Sequence, residues 1–187
     1  MTSSSVTSAG ACTGAGIPPV RIDKVIGVAK AYTTRVGEGP FPTEFAPRFC
    51  KHIRDKGNEF GATTGRPRRC GWFDAVMVKE AILLNGISEL AIMKLDVLNG
   101  LKTIKICIGY KYKGKLFKEF PYDLEILCRL KPVYREVSGW DKIRNIPREY
   151  KELPLNARNY LIRLQDILKV DISMVSIGSS REATVLR

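Results

Sequence analysis

The chain has 187 residues, 44 % of them apolar and 27 % charged, which suits one folded domain and excludes a globally disordered chain. Lysine and arginine total 31 against 19 acids, a formal charge of +12. Such a surplus asks for an anionic partner: nucleic acid, an acidic membrane surface or a phosphorylated small molecule. No window approaches the ~20 consecutive apolar residues of a membrane span. The opening MTSSSV has neither the basic nor the apolar region of a secretory signal, so a cytoplasmic location is expected. Five widely spaced cysteines with no C-x-x-C pair argue against a disulfide framework, and the one histidine, His52, argues against zinc.

In chain order, the small-residue stretch 3–16 reads as a flexible tail or as backbone that approaches something closely. Pro18-Pro19 stops any helix there. Residues 25–34 read as a strand and GEGPFPTE as a loop. Thr43 is placed to cap a helix over 44–56 that ends before Gly57. A Gly-, Thr- and Arg-rich loop, 57–70, precedes an amphipathic helix from Trp72 to Leu84. Its apolar face is Phe73, Val76, Met77, Ala81 and Leu84, and Asn85-Gly86 closes it. Residues 89–96 read as a buried strand, 103–112 and 116–120 as a hairpin about Gly114, 155–169 as a helix, and 172–178 as a last strand. Strands alternating with helices predict an α/β fold.

Four segments carry candidate chemistry. Lys94-Leu95-Asp96 closes a predicted strand, where α/β sheets bind ligands. A carboxylate there can accept two parallel hydrogen bonds from the ring N–H and amino group of guanine, a donor pair that adenine lacks. Ser176-Ile177-Gly178 follows another apolar strand, and its small residues leave backbone N–H groups for a carbonyl oxygen. The loop Gly61–Arg69 offers two threonine hydroxyls and three arginines, suited to carboxylate or phosphate. Lys102, Lys105, Lys111, Lys113, Lys115 and Lys118, interleaved with Tyr110, Tyr112 and Phe117, have the composition of a nucleic-acid platform or of a solvated hairpin face. No G-x-x-x-x-G-K-[ST] phosphate loop, Ser-His-Asp set or acid/base pair is recognisable, so no residue is assigned as catalytic or as a metal ligand.

These motifs together resemble the C-terminal part of the adenylosuccinate synthetases. The resemblance runs through TSSS near the start, KAYTTRVGEGPFPTE at 30–44, GNEFGATTGRPRRCGWFD at 57–74, KLDVLNGL at 94–101 and VSIGSSREAT at 175–184. It implies the C-terminal portion, here all of 1–187, of a larger mixed-sheet, P-loop-like α/β nucleotide-binding domain with a β-hairpin insertion. It implies a ligase that joins IMP to L-aspartate with GTP and Mg²⁺. By resemblance, Thr2 contacts the IMP phosphate. The loop of Ala62, Thr63, Thr64, Gly65, Arg66, Pro67 and Arg68 closes on aspartate. Thr63 and Thr64 hold the substrate carboxylates, Arg66 reaches aspartate and IMP, and Arg68 reaches GTP. Lys94, Leu95 and Asp96 hold guanine with Ser176, Ile177 and Gly178. A homodimer is implied for the full-length family.

The sequence also departs from the family. The GDEGKGK-type loop, the aspartate base, the histidine acid and the Mg²⁺ ligands of the family's N-terminal half are absent, and His52 does not match the catalytic histidine. Gly178-Ser179-Ser180-Arg181 stands where the family has G-P-D-R. The expectation is therefore a truncated chain, inactive alone, with an exposed strand edge and apolar patches. The alternatives are a basic nucleic-acid-binding module and a non-catalytic relic.

Overall fold

A computed structural model describes residues 7–143 and 146–187. The first described element is a helix, Ser8–Ala15 (α1), capped by the Thr7 hydroxyl and closed by Gly16 in the left-handed conformation. Ser8 ties it to Asn85 through its N–H and its hydroxyl, at 3.2 and 2.9 Å. Residues 8–15 are thus a short helix, neither a tail nor closely packed backbone: Cys12 is its one buried residue and nothing lies within 4 Å of where a Gly14 Cβ would sit.

The strand predicted over 25–34 is two strands, Ile26–Lys30 (β1) and Thr33–Arg35 (β2), in different sheets. The break falls at Ala31 and Tyr32, both buried. The Ala31 carbonyl accepts the Tyr160 hydroxyl at 2.7 Å. The next helix, Pro47–Gly57 (α2), starts three residues later than predicted, and Thr43 does not cap it. Residues before it are held against strand Arg69–Gly71 (β3): Phe45 donates to the Cys70 carbonyl at 2.9 Å and Glu44 bridges Gly71. Pro47, lacking an N–H, then suits the first helical position.

Trp72 and Phe73 are likewise not helical. Phe73–Asp74 is a short strand (β4), and the helix is Ala75–Asn85 (α3), with Asp74 as its cap. The predicted apolar face is rotated. Ala81 and Leu84 are exposed, whereas Ala75, Val78 and Ile82 face the core. Strand Glu89–Met93 (β5) ends short of Asp96 because Lys94 takes a left-handed φ of 59° and turns the chain into a 3₁₀ segment, Leu95–Leu98. The hairpin is Thr103–Tyr112 (β6) and Lys115–Phe117 (β7). Its two-residue turn puts Lys113 at φ 47° and Gly114 at φ 76°, the pair of positive values that matches strand twist. Residues 121–154, unread in the sequence, contain a one-turn helix, Leu124–Leu127 (α4), and an eight-residue strand, Lys131–Ser138 (β8). Helix Leu155–Leu168 (α5) and strand Asp171–Ser176 (β9) lie where predicted. A final strand, Thr184–Leu186 (β10), was not predicted.

These elements form a mixed α/β fold. The first sheet has the order β1-β5-β9-β10, its first three strands parallel and β10 antiparallel. β2 and β3 pair alone. In the third sheet β6 pairs with β8 on one side and with β4, then β7, on the other. The main core lies between the first sheet and α5, whose Ala157, Leu161, Leu164 and Leu168 are buried. A smaller cluster beside it gathers Val76, Cys107, Tyr110 and Leu130. The aromatic residues of the lysine hairpin belong to this cluster: Tyr110 is fully buried and Tyr112 and Phe117 pack against it. They do not form an exposed stacking platform. All five cysteines are free, and burial pushes the Cys70 and Cys107 thiols up to about 12, which silences them as nucleophiles.

Asp74 is fully buried. Its Oδ1 accepts the Val76 and Met77 N–H groups and its Oδ2 the Tyr110 hydroxyl at 2.6 Å. Asp74→Ala removes a helix cap and orphans a buried hydroxyl, and urea unfolding should show a loss of about 2–3 kcal/mol. The outer strand of the first sheet, β1, presents Val28 at 74 % exposure, an apolar side chain on an open edge. Val28→Lys should lower concentration-dependent light scattering and change stability by no more than about 0.5 kcal/mol.

Candidate functional site

Parallel strands carry their C-terminal ends to one side of a sheet, and three segments meet there in this chain. Ile92 of β5 lies opposite Val175 of β9. The segments leaving those strands, Lys94–Asp96 and Ser176–Gly178, therefore emerge side by side. β1, on the other flank of β5, ends at Lys30.

At the first segment, the Leu95 side chain is fully buried in the core, so it offers a ligand only backbone. Asp96 is half-buried, and its Oδ1 is shielded from water with no hydrogen-bond partner. A buried acceptor without a donor is costly. At the second segment the Ser176 hydroxyl donates to the Gly178 carbonyl at 2.8 Å. The Ile177 N–H is not free for a ligand, as its residue type and place had suggested. It donates to the Ala183 carbonyl at 2.9 Å.

The third segment is the loop after α2. Its neck is closed by a bridge between Phe60 and Pro67 and by the Gly61 N–H on the Arg66 carbonyl at 2.8 Å. Its tip, Ala62–Gly65, is exposed, and Thr63 and Thr64 face solvent. The three arginines divide sharply. Arg69 forks onto Glu44, with Nε 2.8 Å from Oε1, and also donates to the Gly39 carbonyl. This pairing holds the Glu44 carboxyl below its ordinary range. Arg68 donates to Glu59 at 2.7 Å. The Arg66 guanidinium alone of the three has no hydrogen-bond or ion-pair partner among the described residues. It lines an open cleft of about 760 Å³ with Gly37, Glu38, Gly39 and Arg69, a size suited to a small molecule.

Glu59 joins these segments and was not singled out in the sequence. Its side chain is wholly shielded from solvent. Oε1 accepts Tyr32 at 2.6 Å and Lys94 at 2.9 Å; Oε2 accepts Arg68 at 2.7 Å and Lys30 at 2.8 Å. Burial alone would raise its pKa, but the four donors outweigh burial and hold it at about 2. Gly57 makes room for this cluster, since a Cβ there would sit 2.5 Å from the Tyr32 hydroxyl. No local pattern marks Glu59 among the acids of the chain. Only its place inside the stretch GNEFGATTGRPRR sets it apart.

The sequence family described as adenylosuccinate synthetase matches residues 1–185. The chain belongs to the adenylosuccinate synthetase family. It is 51 % identical over 187 residues to the adenylosuccinate synthetase of Desulforamulus reducens, and 52 % identical over 186 residues to that of Carboxydothermus hydrogenoformans. All of this chain is covered in both cases, but 44 % of each relative. The structure of fully ligated adenylosuccinate synthetase from Plasmodium falciparum superposes with a TM-score of 0.95 at 38 % identity, covering 100 % of this chain and 45 % of that one. The chain thus spans less than half the length of these family members.

Of the residues that the resemblance leads one to expect at substrate, 62–68, Lys94–Asp96 and Ser176–Gly178 lie on the segments just described, while Thr2 lies outside the described residues. His52 is exposed on α2, its ring beside that of Phe49. Among the described residues no group of three or more His, Cys, Asp or Glu side chains converges as a metal site, and no helix is long and apolar enough to cross a membrane.

The Glu59 cluster makes stability acid-sensitive in a defined window. Its carboxyl titrates near 4.5 when unfolded and near 2 when folded. The stabilisation is therefore complete above about pH 4.5 and is lost as the pH falls towards 2. Denaturant titrations should show up to about 3 kcal/mol disappearing across that range, and Glu59→Gln should lack this portion of the pH dependence.

Proposed function

We propose that this chain supplies the guanine- and aspartate-recognition part of a GTP-dependent carbon–nitrogen ligase of purine nucleotide synthesis. The reaction joins IMP to L-aspartate and gives adenylosuccinate, GDP and phosphate. GTP transfers its terminal phosphoryl group to the purine 6-oxygen; the aspartate amine then displaces that phosphate at the ring carbon. Family membership supports the reading, and the observation that carries it is Asp96, whose Oδ1 has no hydrogen-bond partner and which lies in the 3₁₀ segment that follows parallel strand β5.

In this reading Asp96 accepts the ring N–H and amino group of guanine, and discrimination against adenine follows from donor placement. Lys94 and Leu95 frame the base, Leu95 through its backbone, with Ser176, Ile177 and Gly178 across from them. Thr63 and Thr64 hydrogen-bond the aspartate carboxylates, and Arg66, whose guanidinium is unengaged, pairs with aspartate and IMP. Arg68 reaches GTP from its seat on Glu59. Thr2 contacts the IMP phosphate.

Mg²⁺ finds no ligand set among the described residues: no acidic cluster converges, and the lone pairs of Glu59 are all taken by donors. The sequence contains no GDEGKGK-type loop. We therefore assign to this chain recognition rather than phosphoryl transfer, with a cytoplasmic location and the homodimer of the full-length family as part of the same reading. The inward-facing aromatic residues of the lysine hairpin weigh against a nucleic-acid platform.

Two measurements test this. Calorimetry with the purified chain should show GTP bound in preference to ATP. Asp96→Asn should weaken GTP by roughly 30-fold, about 2 kcal/mol for a charge-assisted pair, and leave ATP unaffected. An assay for adenylosuccinate with the chain alone should give none; product formation there would refute the assignment of recognition only.

A further inference from the structure

Glu59 has no role in the recognition chemistry above, yet two of the recognition segments depend on it. A carboxylate offers about four acceptor positions. Glu59 fills them with Tyr32, Lys94, Arg68 and Lys30, so none remains for a substrate, a metal ion or a proton in transit.

What distinguishes it is the origin of its donors. Arg68 closes the arginine loop and is joined to Glu59 twice: side chain to side chain at 2.7 Å, and its own N–H to the Glu59 carbonyl at 2.9 Å. Lys94 opens the guanine segment and is also anchored twice, to Glu59 at 2.9 Å and to the Gly57 carbonyl at 2.7 Å. Lys94 sits at φ 59°, a conformation that costs a non-glycine residue roughly 1–2 kcal/mol and persists where surrounding contacts over-determine it. Three cations share one carboxylate here. Displacing any one of them therefore alters the field on the other two, in an interior where that field is weakly screened.

We propose that Glu59 is a positioning residue that couples the two recognition segments, setting Arg68 against Lys94 so that a dicarboxylate at the loop and a guanine nucleotide at Lys94–Asp96 strengthen each other's binding. This inference rests on the functional reading above. A dicarboxylate that orders the loop through Thr63, Thr64 and Arg66 draws on its neck, and the neck ends at Arg68. With Arg68 seated, Lys94 keeps its place on the other oxygen. Linkage makes the effect reciprocal.

The test is titration calorimetry of the full chain with GTP, with ATP, and with GTP at saturating L-aspartate. Aspartate should tighten GTP about fivefold in the wild type, at the lower end of ordinary coupling energies. In Glu59→Gln each ligand should still bind, more weakly, and the factor should fall to one. A merely structural role would weaken both ligands and leave the factor between them intact. Tyr32→Phe removes one donor and no charge, and should lower the factor to about twofold with a cooperative melt retained. A wild-type factor of one overturns the inference. So does an unchanged factor in Glu59→Gln or, should that variant not fold, in Tyr32→Phe. A wild-type chain that takes GTP no better than ATP overturns the functional reading, and the inference with it.

Discussion

A carboxylate withdrawn from water stays ionised only if its lone pairs are met, and Glu59 meets that condition with donors drawn from three separate stretches of chain. Tyr32 and Lys30 come from the end of β1 and the residues just after it, Arg68 from the far side of the arginine loop, and Lys94 from the end of β5. Because the donors come from three parts of the fold, the arrangement is a geometric constraint as well as an electrostatic one. It explains the break between β1 and β2, since Tyr32 turns inward to reach Glu59. It explains why Gly57 is free of a side chain, and why Lys94 holds a left-handed backbone.

That constraint sits beside the side of the first sheet to which its three parallel strands converge. The sheet supplies the coarse placement. Parallel neighbours deliver Lys94–Asp96 and Ser176–Gly178 to the same side because β5 and β9 run in the same direction, with Ile92 opposite Val175. The Glu59 cluster supplies the fine placement by holding the loop neck against β1 and β5. The groups left uncommitted are then few: the Asp96 oxygen, the threonine hydroxyls of the exposed tip, and the Arg66 guanidinium. The arginine cluster that the sequence presents as three guanidiniums aimed at an external anion is a different object in three dimensions. Two of them neutralise the chain's own Glu44 and Glu59, and the Arg66 guanidinium at the cleft is left without a partner among the described residues.

Several elements were legible from local pattern. Helix α5 has its leucines at helical spacing, the hairpin has Gly114 at its turn, and β5 and β9 are apolar runs of strand length. The failures share a cause. Thr43 is a good capping residue, but Glu44 and Phe45 are held by β3, so the helix starts at Pro47. Trp72 and Phe73 have helical spacing with Val76, but β4 pairs with β6 and moves the cap to Asp74. The 121–154 stretch has no periodicity strong enough to reveal β8, which forms because β6 offers it an edge along nearly its whole length.

The sequence by itself determined the family, and it marked candidate segments by the chemistry their groups can perform, because side-chain type and short spacing decide what a group can donate or accept. The tertiary structure alone decided which of those groups are available. Leu95 is core, the Ile177 N–H is already bonded, Arg68 and Arg69 are paired within the chain, and Glu59 links the loop to Lys94 at the end of β5. The physical reason is that burial and pairing are long-range properties. Glu59 and Lys94 are 35 residues apart, and nothing in the local chemistry of either announces the other.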